Sequence, residues 1–162
     1  MRERIKPGIV AAVFASFLIS CFTTRLDAQE RCTNASLKGS YAFKVDGTNV
    51  SNPHLPAVGP FAAVGKNTYD GRGQMKGKII VSLNGSMISA TYTGTYTVNS
   101  NCTGVKSATL SNGLIVDFFF VIDDDLREIQ MAVTQAGPPG RLADGLTVSG
   151  SARKLWANTE DQ

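Results

Sequence analysis

Residues 87–98 read Met-Ile-Ser-Ala-Thr-Tyr-Thr-Gly-Thr-Tyr-Thr-Val, and this stretch decides the fold. From 91 to 97 every odd position is Thr, while the even positions from 90 to 98 are Ala, Tyr, Gly, Tyr and Val. Side chains that alternate with a period of two lie on opposite faces of a β-strand. The stretch therefore predicts a strand with one buried, aromatic face and one hydrated, hydroxyl-rich face.

The same alternation recurs along the chain after Cys32, and no long window has the periodicity of a helix. Turn residues such as Asn84-Gly85 and Asn112-Gly113 separate the alternating segments. Because the connections are short, consecutive strands are predicted to be antiparallel neighbours in a meander. The predicted strands are 37–45, 60–69, 74–83, 87–98, 103–110, 114–122, 127–135 and 146–155.

Eight meandering strands would leave two long exposed edges in a flat sheet, and closure into a barrel removes both edges. Glycines inside the predicted strands also suit the bends of a barrel wall. The predicted fold is therefore all-β, an eight-stranded antiparallel barrel. The alternative is an immunoglobulin-like sandwich, although short turns disfavour its crossovers. In addition, the single Trp156 lies outside the interval between Cys32 and Cys102, where such a sandwich has its buried Trp.

The pleat assigns the predicted strands an inner face, and the residues assigned to it carry no formal charge. The assigned inner residues are Tyr41, Phe43, Val45, Met75, Gly77, Ile79, Val81, Ala90, Tyr92, Gly94, Tyr96, Val116, Phe118, Phe120, Ile129, Met131 and Val133. Segment 114–122 departs from the pattern, because Ile115, Phe119 and Val121 are apolar on the outer phase as well. A cover is expected over this segment, either from the same chain or from a second copy in a homo-oligomer.

The first 28 residues have the three-part organisation of a secretory signal peptide. Their apolar run, 9–22, is too short to span a membrane as a helix. Cleavage after Ala28 would leave residues 29–162 as a single barrel domain, without a transmembrane span, secreted or located in the periplasm or cell envelope. The alternative is a lipoprotein signal that ends before Cys21, in which case Cys21 is lipidated and anchors the protein.

Removal or lipidation of Cys21 leaves Cys32 and Cys102, a pair that most simply forms a disulfide in an oxidising compartment. The net charge falls from +3 to +1 on cleavage, because the removed segment carries four basic and two acidic residues. The domain contains no basic run, so nucleic acid is not an expected partner.

The residues show no catalytic set. His54 is the only histidine and lies in a proline-containing loop without a neighbouring nucleophile motif, so it is interpreted as a solvated side chain. The acidic turn 123–125 lacks the alternating ligands and the turn glycine of a calcium loop. No catalytic residue, metal site or cofactor is predicted.

An eight-stranded barrel is wide enough either to be filled by side chains or to hold one small ligand. The aromatic and Met lining indicates an apolar small molecule, oriented by tyrosine hydroxyls. The same residues would form a solid core if no cavity exists. The candidate ligand-lining residues are Tyr41, Phe43, Tyr92, Tyr96, Phe118, Phe120 and Met131.

Three motifs carry a family resemblance: Cys32-Thr-Asn-Ala-Ser-Leu-Lys-Gly-Ser-Tyr41, Tyr69-Asp-Gly-Arg-Gly73 and Tyr92-Thr-Gly-Thr-Tyr96. Together they resemble uncharacterised bacterial secreted proteins that are similar to the allene oxide cyclase barrel-like, calycin-like family. The resemblance covers most of 32–155 and implies an eight-stranded antiparallel barrel. The plant cyclases of this shape convert an unsaturated fatty-acid epoxide inside the barrel and form trimers. None of their catalytic positions has a match in this sequence, so the resemblance does not carry the activity over.

Three functions follow as hypotheses. The first, favoured by the lack of a catalytic set, is a non-catalytic binding or structural module with an apolar small molecule inside the barrel. The second is an allene-oxide-cyclase-like cyclase or isomerase acting on a lipid-derived substrate. The third is an interaction protein that self-associates through segment 114–122.

Overall fold

A computed structural model describes residues 32–156. The predicted signal peptide and the lipidation site at Cys21 lie outside these residues. Within them, no helix is long and apolar enough to cross a membrane. A short 3-10 helix, Asn34–Leu37, precedes the strands β1 Gly39–Asn49, β2 Gly59–Tyr69, β3 Gln74–Leu83, β4 Ser86–Val98, β5 Thr103–Leu110, β6 Ile115–Ile122, β7 Glu128–Gly137 and β8 Leu146–Lys154.

Each strand pairs antiparallel with the next one along the chain, and β8 pairs with β1 to close the barrel. The predicted closed meander is confirmed, and the sandwich alternative is wrong. The predicted strand bounds hold to within two residues except at the end of β1. That strand continues to Asn49 rather than 45, because residues 46–49 pair on both sides, with β2 and with β8.

The predicted inner face is confirmed, since every residue assigned to it is buried or half-buried. On the outer face of β6, however, Phe119 and Val121 remain 43% and 42% exposed, so no described residue provides the expected cover. Val105 lies opposite Phe119 on β5 and is also exposed. Self-association through this strand stays a prediction.

The end of the barrel where β1 begins is closed by the 3-10 helix and the disulfide. Leu37 of the helix is fully buried. Cys32, just before the helix, is bonded to Cys102 in the β4–β5 turn, with a Cα–Cα distance of 4.9 Å. The hydroxyl of Tyr96 accepts a hydrogen bond from the Gly71 amide at 2.9 Å and donates to the Asn34 carbonyl at 3.0 Å. The helix is therefore tied to the β2–β3 and β4–β5 turns.

Inner-facing glycines let aromatic rings lie close against the wall. A Cβ placed on Gly77 of β3 would overlap the ring of Tyr92 on β4 and the carbonyl of Lys66 on β2. Gly65 is covered in the same way by the ring of Phe43. Glycine is thus required at these positions by close approach rather than by a turn.

We expect Gly77→Ala to lower the free energy of unfolding by about 1–3 kcal/mol, because the added methyl group overpacks the wall against Tyr92. Urea unfolding followed by tyrosine fluorescence measures the change. Lys76→Ala is the matched control, since Lys76 is exposed on the outer face of the same strand. Equal unfolding midpoints for the two variants would contradict this account of the wall.

Candidate functional site

The half of the barrel away from the 3-10 helix contains a cavity of about 170 Å³. All eight strands contribute to its lining, which consists almost entirely of aliphatic and aromatic side chains such as Phe61, Ile79 and Val81. The lining continues to Leu55 in the β1–β2 loop and to Leu114 after β5. This end of the barrel is therefore where the cavity approaches solvent.

The β1–β2 loop is held over this end by two fully buried asparagines. Asn49 donates to the carbonyl of Ala57 at 2.7 Å and accepts from the amide of Asn52 at 2.9 Å. The Asn52 side chain in turn donates to the carbonyls of Ala136 and Ala143, at 3.0 and 2.7 Å, in and after β7. The loop is thus fastened to β7 and to the β7–β8 connection, and buried amides of this kind have most of their hydrogen-bonding capacity used.

His54 is placed by this loop, because its amide donates to the side-chain oxygen of Asn52 at 3.0 Å. The interpretation of His54 as a solvated side chain is wrong: it is half-buried and lines the cavity at the open end. His54 lies there because its backbone is hydrogen-bonded to the buried Asn52 two residues earlier, and no sequence motif indicates this position.

A chain of polar side chains crosses the floor of the cavity. The hydroxyl of Tyr92 donates to Asn67 Oδ1. Asn67 Nδ2 donates to the hydroxyl of Tyr69 at 3.1 Å, and Lys106 Nζ lies 3.4 Å from the same hydroxyl. All four residues are at most 8% exposed. These contacts join the four groups into one buried hydrogen-bonded network, so a change in one of them affects the others.

The expectation that the barrel interior carries no formally charged side chain is wrong, because Lys106 points into it. It is 6% exposed and lines the cavity, with Nζ 3.2 Å from Met131 Sδ and 4.6 Å from the centre of the Phe118 ring. Burial lowers the pKa of Lys106 to about 7. No Asp or Glu belongs to the part of the cavity lining that the structure describes. Near neutral pH the amine and ammonium forms of Lys106 therefore coexist.

The candidate lining residues divide into two groups. Phe43, Tyr92, Phe118 and Met131 line the cavity. The other three, Tyr41, Tyr96 and Phe120, are buried in the half of the barrel that the 3-10 helix closes. The rings of Tyr41 and Tyr96 pack edge-to-face against the ring of Tyr69, with centre-to-centre distances of 5.4 and 5.0 Å. The ring of Phe120 lies against Gly104.

No protein-family model matches the chain, and the search of curated proteins finds no significant match. Among solved structures, the chain is similar to a de novo designed fluorescence-activating β-barrel, with 13% identity over 73% of this chain and 93% of that one and a TM-score of 0.48. It is also similar to EF1p2_mFAP2b bound to DFHBI, with 10% identity over 74% and 94% and a TM-score of 0.49. A third similar structure is Rv2717c from M. tuberculosis, with 15% identity over 75% and 94% and a TM-score of 0.39. Likenesses this distant carry no ligand or activity over to this chain.

The shifted pKa values of Lys106 and the buried tyrosines predict that the protein is most stable at alkaline pH. The pKa of Lys106 in the folded protein lies below its ordinary value of 10.5, so the unfolded chain binds the proton first as the pH falls. The folded protein therefore loses stability as the pH falls from about 10 to about 7. Burial raises the pKa of Tyr41 to about 12 and also raises the pKa values of Tyr69 and Tyr92, so stability is lost again above about pH 10.

We expect the free energy of unfolding to rise by about 1 kcal/mol per pH unit between pH 7 and pH 10, as linkage to a single proton requires. Urea titrations at a series of pH values measure this slope. In Lys106→Met the rise should disappear, whereas Lys78→Met, on the outer face, should keep it. A wild-type stability that stays flat over this range would show that the buried amine is not linked to folding.

Proposed function

We propose that this protein is a binding module that takes a small, mainly apolar molecule into the interior of its barrel. The observation that carries the proposal is the cavity of about 170 Å³ with an apolar wall. An engineered apolar cavity of about 150 Å³ stays dry and binds benzene, so this interior suits a ligand of about one ring in size. A longer ligand would extend towards the loop that carries His54.

Two further features support binding. The wall is a closed sheet whose strands are all paired, so the cavity is formed before a ligand arrives and little ordering is required on binding. The floor presents Tyr92, Asn67 and Lys106 beneath apolar walls. A few polar groups in an apolar pocket are the usual means of fixing the orientation of a ligand.

One observation favours a second candidate, the allene-oxide-cyclase-like cyclase or isomerase of lipid-derived substrates. Asn67 and Tyr92 reach the same cavity, so polar groups would meet an apolar substrate there. The resemblance to that family supports the candidate only at the level of the barrel. Binding without chemistry is the proposal that requires nothing beyond the cavity itself.

Filling the cavity should abolish binding. Val81→Phe places a ring into the space that toluene would occupy, because Val81 is 8% exposed and lines the cavity. Ile80→Phe is the matched control, because Ile80 is 43% exposed on the outer face of the same strand. Isothermal titration with toluene should show binding to the wild type and to the control, and at least tenfold weaker binding to Val81→Phe. Folded wild type that takes up no toluene would refute the binding proposal.

We also infer that the chain is exported. The disulfide between Cys32 and Cys102 supports this, since such bonds persist in oxidising compartments. Mass spectrometry of the protein purified from its host should give a mature chain that begins at Gln29, or at an acylated Cys21 if the lipoprotein alternative holds. An intact N-terminal Met1 on the mature protein would contradict both versions.

A further inference from the structure

The polar cluster on the cavity floor has more donors than acceptors. The hydroxyl of Tyr69 already accepts from Asn67 and lies within reach of Lys106, and Asn67 Oδ1 already accepts from Tyr92. The remaining neighbour of Lys106 Nζ is Met131 Sδ, and a thioether is a weak acceptor. An ammonium group has three N–H donors, so Lys106 retains donor capacity at the edge of the cavity.

The cluster also lacks an anion. Titratable side chains in the described lining are those of Lys106, Tyr92 and His54, with Tyr69 directly behind Lys106. The carboxylate on the adjacent strand belongs to Asp117, which pairs with Ser107 on the outer face of the barrel. The ring of Phe118 attracts a cation but does not neutralise it. A buried ammonium without a counter-ion is costly, and a ligand that brings an anionic group would remove that cost.

We propose that the ligand of this cavity is an apolar carboxylic acid whose carboxylate binds Lys106 Nζ while its apolar part fills the space above. The proposal rests on the proposed binding function and names the class of ligand. When Lys106 is an ammonium group, the carboxylate binds it directly and no covalent bond changes. When Lys106 is an amine, the carboxylic acid transfers its proton to Nζ, so that the O–H bond of the acid breaks and an N–H bond forms on Lys106. Both routes give the same ion pair. The volume admits one ring with a carboxylate, as in benzoate.

Three probes of one shape test this assignment: benzoate, benzyl alcohol and toluene share a ring and differ in one substituent. Titration calorimetry near pH 7 is carried out on the wild type, on Lys106→Met and on the control Lys78→Met, whose residue is exposed on the outer face. The wild type and the control should bind benzoate at least tenfold more tightly than benzyl alcohol. Lys106→Met should lose this preference and still bind toluene, because Met keeps the length and apolar stem of the side chain.

The outcomes separate the two proposals. If toluene binds and benzoate gains nothing over benzyl alcohol, or if the gain survives in Lys106→Met, the carboxylic-acid assignment is overturned while the binding function stands. If no probe binds the folded wild type, the binding function fails, and the assignment fails with it.

A second measurement uses the wild type alone and so does not depend on the variant folding. NMR of protein labelled with ¹³C at lysine Cε follows the titration of Lys106 directly. Saturating benzoate should raise its midpoint by at least one pH unit, since the carboxylate stabilises the ammonium form. Toluene, which brings no charge, should not raise it. An unchanged midpoint under saturating benzoate would overturn the ion pair.

Discussion

The ladder between β1 and β8 joins the first strand to the last, from Asn49 opposite Leu146 to Tyr41 opposite Lys154. Without it the meander would be an open sheet with two unpaired edges. With it, the inner faces of eight strands converge on one axis, and whatever volume their side chains leave unfilled becomes a cavity. Both the cavity and the environment of Lys106 depend on this closure, because an open sheet would leave the same side chains in contact with water.

Much of this arrangement could be predicted from the residues. Alternation such as that of 91–97 defines faces without reference to any neighbour, and turns such as Asn84-Gly85 make consecutive strands antiparallel. The disulfide followed from parity, since setting Cys21 aside leaves one pair. These features are local or countable, which is why sequence reasoning reached them.

The inward position of Lys106 does not follow from the sequence alternation, because it depends on the register between β4 and β5. Strand β5 has no aromatic residue, and Val105 is apolar on the phase opposite to Lys106, so alternation alone does not assign its faces. The face depends on the preceding turn, where Cys102 adopts a positive φ of 63° and Tyr96 comes to lie opposite Lys106. A shift of one residue in that turn would have turned Lys106 outwards. Tyr96 is predicted to point inwards, and a residue paired directly opposite it must point to the same face. Once the pairing of Tyr96 with Lys106 is known, the inward position of Lys106 therefore follows.

The placement of the aromatic rings explains why a barrel so rich in inner aromatic residues is still hollow. The rings of Phe43 and Tyr92, which both line the cavity, each lie against a glycine on a neighbouring strand, so they cover the wall instead of crossing the lumen. Larger residues at those glycines would displace the rings towards the barrel axis, where they would fill the space above Lys106. The glycines that first indicated a bent wall are therefore also what keeps the interior open. The same packing that stabilises the barrel thereby leaves Lys106, the one buried lysine within residues 32–156, facing an unfilled apolar space.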